Sequence, residues 1–283
     1  MIKANPTIFK VYLSIMDSFS ENLSKKYTES SIENPDHFKA GVIQKIVQMF
    51  HTLAIITKET KDEVSSRCVL RGILDNVTTY CFIYDRDDKN DMMFRHYLYV
   101  LDGYICYKNS VLNGIMEKRN SEFPFEQLCD NAMEQISKQI ECHPYSKLNN
   151  RIIGKIVRNA NWKYESLQNP QGLKFRDMYI QIGLNSQLAD YYQGYLSQFV
   201  HGLSFSNIPF VNQEQIMNVL YESIPLADKL IQSIYKTFPK EEILHEVFRS
   251  KTILNLFKEP DYNFDDLFIY VKALIRKDKT LLI

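Results

Sequence analysis

A hydroxyl and an imidazole spaced by four residues, Ser197 and His201, share one helix face with Gln193, while Tyr195 and Phe199 occupy another. His201 directly precedes Gly202, a residue type that ends helices, so its ring is expected at the partially negative helix end. An imidazolium is favoured there, and a histidine that changes charge near neutrality can serve as general acid or base. Gly194 in the same run is expected to let a neighbouring helix approach closely. The plainer alternative is a capping histidine bonded to Ser197 or to a carbonyl.

Two further groups have charge in unusual places. Arg67, Arg71 and Asp75 recur every four residues on one side of an otherwise apolar helix. Guanidinium groups in such a stripe can neutralise a phosphate, but a charge beside a core also needs a partner, and an Arg71–Asp75 pair within the helix would supply one. The run FRHY over 94–97 adds Arg95 and His96. Adjacent helical residues point in different directions, so the expectation is that Phe94 and Tyr97 pack while Arg95 and His96 face water.

The well-marked enzyme signatures are missing. There is no glycine-rich phosphate loop, no HExxH, no GxSxG and no EF-hand loop. The five cysteines, Cys68, Cys81, Cys106, Cys129 and Cys142, form no CxxC pair, which argues against zinc and for reduced, buried thiols. Paired Glu-x-x-His motifs of the di-iron type are absent too. No metal and no cofactor is therefore expected. Lys plus Arg and Asp plus Glu number 34 each, so the whole chain exerts no net attraction on nucleic acid or acidic membrane, though a local basic patch is compatible with that balance.

The elements that must position these residues read as helices. Gly and Pro number only 9 each in 283 residues, about half their usual share. Apolar residues at three- and four-residue spacing predict helices over 6–26, 37–57, 64–84, 92–119, 125–140, 148–164, 175–184, 186–200, 213–238, 240–257 and 264–277. Ser186 is the expected N-cap of the helix it opens, Pro225 interrupts the 213–238 helix, and 85–91 reads as a solvated connection. The expected fold is all-α, an irregular bundle of about nine to eleven helices forming one domain over 1–283, with a core over 37–203 and a C-terminal extension over 213–283. The N-terminal 26 residues lack the continuous apolar core of a signal peptide, and no stretch reaches the ~20 apolar residues of a membrane span, so a soluble, cytoplasmic chain without membrane contact is expected.

Two segments carry a resemblance: RGILD over 71–75, followed by an aromatic run and FRHY, and YLSQFVHG over 195–202. They resemble the Arg-x-x-x-acid helix and the Tyr-x-x-Ser-x-x-x-His helix of an uncharacterised bacterial all-helical family, which is distantly similar to HEPN domains. The similarity spans roughly 63–203. HEPN proteins are metal-independent, commonly dimeric ribonucleases of toxin–antitoxin and phage-defence systems that set two Arg-x(4–6)-His motifs across a cleft. The resemblance implies a defence-associated RNA-cleaving effector working as a homodimer, with RNA or a nucleotide as partner. His201 would move the proton, Arg71 would stabilise phosphate charge, and Asp75 and Ser197 would orient them. Arg67, Arg95, Tyr195 and Gln193 would bind the substrate. The sequence departs from the HEPN motif, because the positions that should hold arginine before His201 are Leu196, Tyr195 and Gly194. The other five histidines lack such an arginine as well. A non-catalytic helical module binding a protein or a nucleotide is the alternative.

Overall fold

The computed structural model describes residues 6–109, 125–148, 151–202 and 213–238. It is an all-α multi-helix bundle, and among the described residues the single β contact is an isolated antiparallel bridge between Tyr164 and Gly172. The helices are α1 (Pro6–Lys26), α2 (Pro35–Ile55), α3 (Glu63–Tyr84), α4 (Lys89–Tyr107), α5 (Phe125–Cys142), α6 (Arg151–Arg158), α7 (Phe175–Gln181), α8 (Ser186–Tyr191), α9 (Ser197–Val200) and α10 (Gln213–Thr237). The helices expected over 240–257 and 264–277, and the end of the one expected over 92–119, lie outside the described residues.

Among the described residues the contacts group these elements into two compact units, one of 6–29, 36–85, 178–202 and 213–238, the other of 30–35, 86–109, 125–148 and 151–177. The 213–238 helix, expected as part of a C-terminal extension, packs within the first unit. In that unit α10 lies against α1 and α3. Of the α1 stripe that three- and four-residue spacing predicts, Val11, Tyr12, Ile15, Met16, Phe19 and Leu23 are buried, the Ile8 side chain lies outside the described residues, and Phe9 is buried as well. Asp62 starts α3 by accepting from the Ser65 amide at 3.1 Å, occupying one of the free donors of the first turn. From Leu70 to Tyr84 this helix buries residues on nearly every side, so it is the central element. Gly72 lets it sit tightly beside Met49, since a Cβ there would come within 2.6 Å of the Met49 Cε.

Several expectations need correction. α2 with its π-helical extension, Pro35–Thr60, has a mean hydropathy of 1.3 over 18 residues and is long and apolar enough to cross a membrane. Ile43, Ile46, Val47, Phe50 and Leu53 of this helix are buried within the protein, which accounts for its composition. The N-cap of α8 is Asn185, whose side chain accepts from the Leu188 amide at 2.7 Å, and not Ser186. Gly194 meets no close neighbour, so its space is open. Only Cys81 and Cys129 are buried thiols, while Cys106 and Cys142 are exposed.

In the second unit α4 packs on α5. The helix expected over 148–164 is shorter here. It ends at Arg158 because Ala160 turns left-handed (φ 43°) and the Asn161 side chain donates to the Pro170 carbonyl at 2.8 Å, folding 159–174 into a loop. Arg95 and His96, expected in water, are both buried. The His96 ring bonds to the Ile32 carbonyl at 3.0 Å. The Arg95 guanidinium lies 3.8 Å from the centroid of the Tyr164 ring and donates to the carbonyls of Trp162 and Tyr164 at 2.9 Å each. Its Nε bonds Asp91 at 2.9 Å, and Asp91 also accepts from the Tyr164 hydroxyl. A residue read as part of a solvated connection is therefore the anchor that fixes this loop to α4.

Candidate functional site

Four residues of α3 at four-residue spacing, Glu63, Arg67, Arg71 and Asp75, form a charged ladder along one face. Against it lies the segment from Ser186 to Val200, which runs as α8, a π-helical turn over Tyr192–Leu196, and α9. Single π turns inside helices shift the register of the side chains beyond them. Here the turn presents Tyr191, Tyr195 and Phe199 as a continuous aromatic stack, with Tyr191 and Tyr195 5.1 Å apart at 22° and Phe199 edge-on to Tyr195.

Arg67 sits inside this arrangement at 5% side-chain exposure. Its Nε donates to Glu63 at 2.8 Å and its Nη1 to Glu222 of α10 at 2.9 Å. The rings of Tyr195 and Phe199 lie 4.6 and 5.2 Å from its guanidinium carbon. Burial works against its charge, but Glu222 and Glu63 outweigh burial and hold the arginine above its ordinary pKa. For Glu222 burial dominates and raises the carboxyl, with Arg67 and the Tyr191 hydroxyl pulling the other way. The Tyr192 hydroxyl donates to the Glu222 carbonyl, three residues before Pro225, and so ties the segment to α10 where the helix carries an imino residue.

Arg71 is held more loosely. Its Nε reaches Asp75 at 3.2 Å, and its Nη1 reaches the Gln193 side chain at 3.3 Å and the Tyr192 carbonyl at 3.5 Å. Charge-assisted bonds are ordinarily about 2.7–2.9 Å. The other Asp75 oxygen accepts from the Tyr179 hydroxyl at 2.7 Å, and burial followed by the Asp75 charge pushes that phenol well above its usual pKa. Side-chain exposure is 13% for Arg71 and 32% for Asp75, so this end of the ladder opens to solvent.

The structure thus brings Arg71, Asp75 and Gln193 together, and Arg67 with Tyr195. It does not join the remaining candidates to them. His201 closes α9 as the spacing predicts, its amide bonding the Ser197 carbonyl at 3.1 Å, with Gly202 left-handed beyond it at φ 59°. The His201 ring is exposed, and among the described residues neither it nor the Ser197 hydroxyl has a side-chain partner. Arg95 belongs to the other unit, with its guanidinium turned into the protein at 2% side-chain exposure. Among the described residues no three His, Cys, Asp or Glu side chains gather where a metal ion could bind.

Sequence reasoning missed Glu63, Glu222 and Tyr179. Glu63 was within reach, being the next position along the four-residue spacing. Glu222 and Tyr179 lie 155 and 104 residues from their partners and carry no local signal. Compared with known proteins, the chain matches no family model, no curated protein and no solved structure.

Proposed function

We propose that this chain is a non-catalytic helical module that binds a phosphate-bearing partner, a nucleotide or an RNA, at the open end of the α3 ladder. The observation that carries the reading is the contrast between the two arginines. Arg67 is saturated by two carboxylates and two rings, whereas Arg71 is held by bonds of 3.2–3.5 Å beside solvent. A guanidinium in that state can exchange weak internal bonds for a bidentate phosphate contact. The neighbouring Tyr191, 37% exposed and stacked on Tyr195, offers a ring face for a base.

Proton transfer needs an imidazole within hydrogen-bond reach of the reacting group, and His201 has no described tie to Arg71. One observation favours the ribonuclease reading as the second choice. The exposed His201 ring lies on the same segment as Gln193, which is itself bonded to Arg71.

Calorimetric titration of a short single-stranded RNA and of a nucleoside monophosphate tests the proposal. Saturable binding is expected, weakened about tenfold in Arg71→Lys, which keeps the charge and loses the planar fork. Total RNA should remain intact after incubation. Binding that is equal in wild type, Arg71→Lys and Arg71→Gln would sink the proposal. Cleavage abolished by His201→Ala, in a protein that remains folded, would establish the ribonuclease reading instead.

A further inference from the structure

The second unit has its own concentration of positive charge. α6, Arg151–Arg158, buries Ile153 and Ile156 against the protein and turns Arg151, Lys155 and Arg158 outward, one helical turn apart. Together with Asn159 these three cations line a cavity of about 350 Å³, near the lower end of the volumes that hold small ligands. All four residues are exposed, and among the described residues no carboxylate pairs with any of them. The open space beside Gly154 keeps this face clear.

Helix stability accounts for part of this charge and leaves part unexplained. Lys155 and Arg158 occupy the last turn, where cations complement the negative end of the helix dipole. Arg151 lies a further turn from that end, beyond the reach of its dipole. The helix end therefore accounts for Lys155 and Arg158 but not for the third cation on the same face.

We propose that this face binds the sugar–phosphate backbone of single-stranded RNA. The proposal rests on the reading of a phosphate-bearing partner and adds a second contact surface to it. Seven residues at ~1.5 Å rise spread the cations over about 10 Å, the length of a short run of consecutive phosphates on one strand. Asn159 supplies a neutral donor and acceptor for the sugar. An anionic membrane is the less suitable partner. A helix that binds lipid inserts its apolar face, and here Ile153 and Ile156 of that face are packed inside the protein.

The experiment is fluorescence anisotropy of a labelled 20-nucleotide oligouridylate, titrated with the full chain at several salt concentrations. The test variant is R151Q/K155Q/R158Q, in which glutamine preserves helix propensity at exposed sites. The control, K10Q/K45Q/K58Q, removes the same three charges from exposed positions of the other unit. Three phosphate contacts contribute about 2 to the slope of log affinity against log salt, so the test variant should lose that much slope and about tenfold or more in affinity. The control should match wild type. Equal weakening in both triple variants, or no RNA binding by wild type, would overturn the proposal. If R151Q/K155Q/R158Q binds RNA like wild type while Arg71→Lys does not, the basic face is excluded and the Arg71 reading stands. The opposite pattern supports the face and removes Arg71 as the contact. A test variant that keeps RNA but loses binding to phosphatidylserine vesicles assigns the face to membrane and overturns the RNA proposal.

Discussion

Arg67 and Arg71 are the same residue one helical turn apart, and their surroundings give them different roles. The two carboxylates on Arg67 make it a structural tie between α3 and α10. Its removal strands Glu222, whose carboxyl burial already raises above its ordinary value of 4.5. Breaking one side of a largely buried ion pair costs about 3–5 kcal/mol, whereas replacing both sides by apolar groups is often nearly neutral. Arg67→Met should therefore lower stability by roughly 3–5 kcal/mol in urea titrations at pH 7, and R67M/E222L should recover at least half of that loss. The pH dependence has a definite sign. An acid with a raised folded pKa favours the folded state at low pH and withdraws stability as pH climbs from its unfolded value through its folded one. Losing Arg67 removes a charge that lowers the Glu222 pKa, so the deficit of Arg67→Met should grow from pH 4.5 to pH 7. A deficit that is flat across that range would show that Glu222 is not the group left stranded.

At the scale of the element, the site depends on the segment from Ser186 to Val200 holding one register against α3. Its first turn is fixed by the Asn185 side chain on the Leu188 amide, and its middle by the π turn. Asn185→Ala should cost about 1 kcal/mol, the usual price of an N-cap, and should weaken nucleotide binding if this register sets the position of Gln193 beside Arg71. Unchanged thermal stability in that variant would mean that the turn is held by other contacts. Apolar spacing predicted the helical run over 186–200 correctly, because Ala189, Tyr192, Leu196 and Phe199 form its buried side. The π turn left no mark in composition, since it arises from how the segment meets α3. The cap was misplaced by one residue because Asn185 and Ser186 are both good caps, and only the backbone angle at Asn185 distinguishes them. The helix expected to reach Tyr164 stops at Arg158 for a similar reason. The left-handed Ala160 and the Asn161–Pro170 bond are long-range choices that the local pattern does not encode.

For the whole molecule, composition and the scarcity of glycine and proline were sufficient for the all-α class, but the grouping of the helices was not visible. The contact pattern changes units at 85–86 and 177–178. The first of these falls at the start of the mixed-charge connection over 85–91, where Asp85 pairs with Lys236 at 2.7 Å in one unit and Arg86 with Asp91 at 3.7 Å in the other. Proximity in sequence hides the change, because the first unit is assembled from separate stretches of chain. This division can be tested with the protein's own probe. Trp162 is the sole tryptophan and lies in the second unit, 6% exposed, with its ring 5.2 Å from Tyr99 and its indole donating to Asp102 at 3.1 Å. Tryptophan fluorescence therefore follows the second unit, while far-ultraviolet circular dichroism follows the helices of both. Two cores with separate sets of contacts should melt as separate cooperative units. Arg67→Met, confined to the first unit, should then shift part of the dichroism transition to lower urea and leave the fluorescence midpoint where it is in wild type. If both probes moved together by the same amount, the chain would be unfolding as one cooperative body, and the cost of opening the Arg67 tie would be shared across all of it.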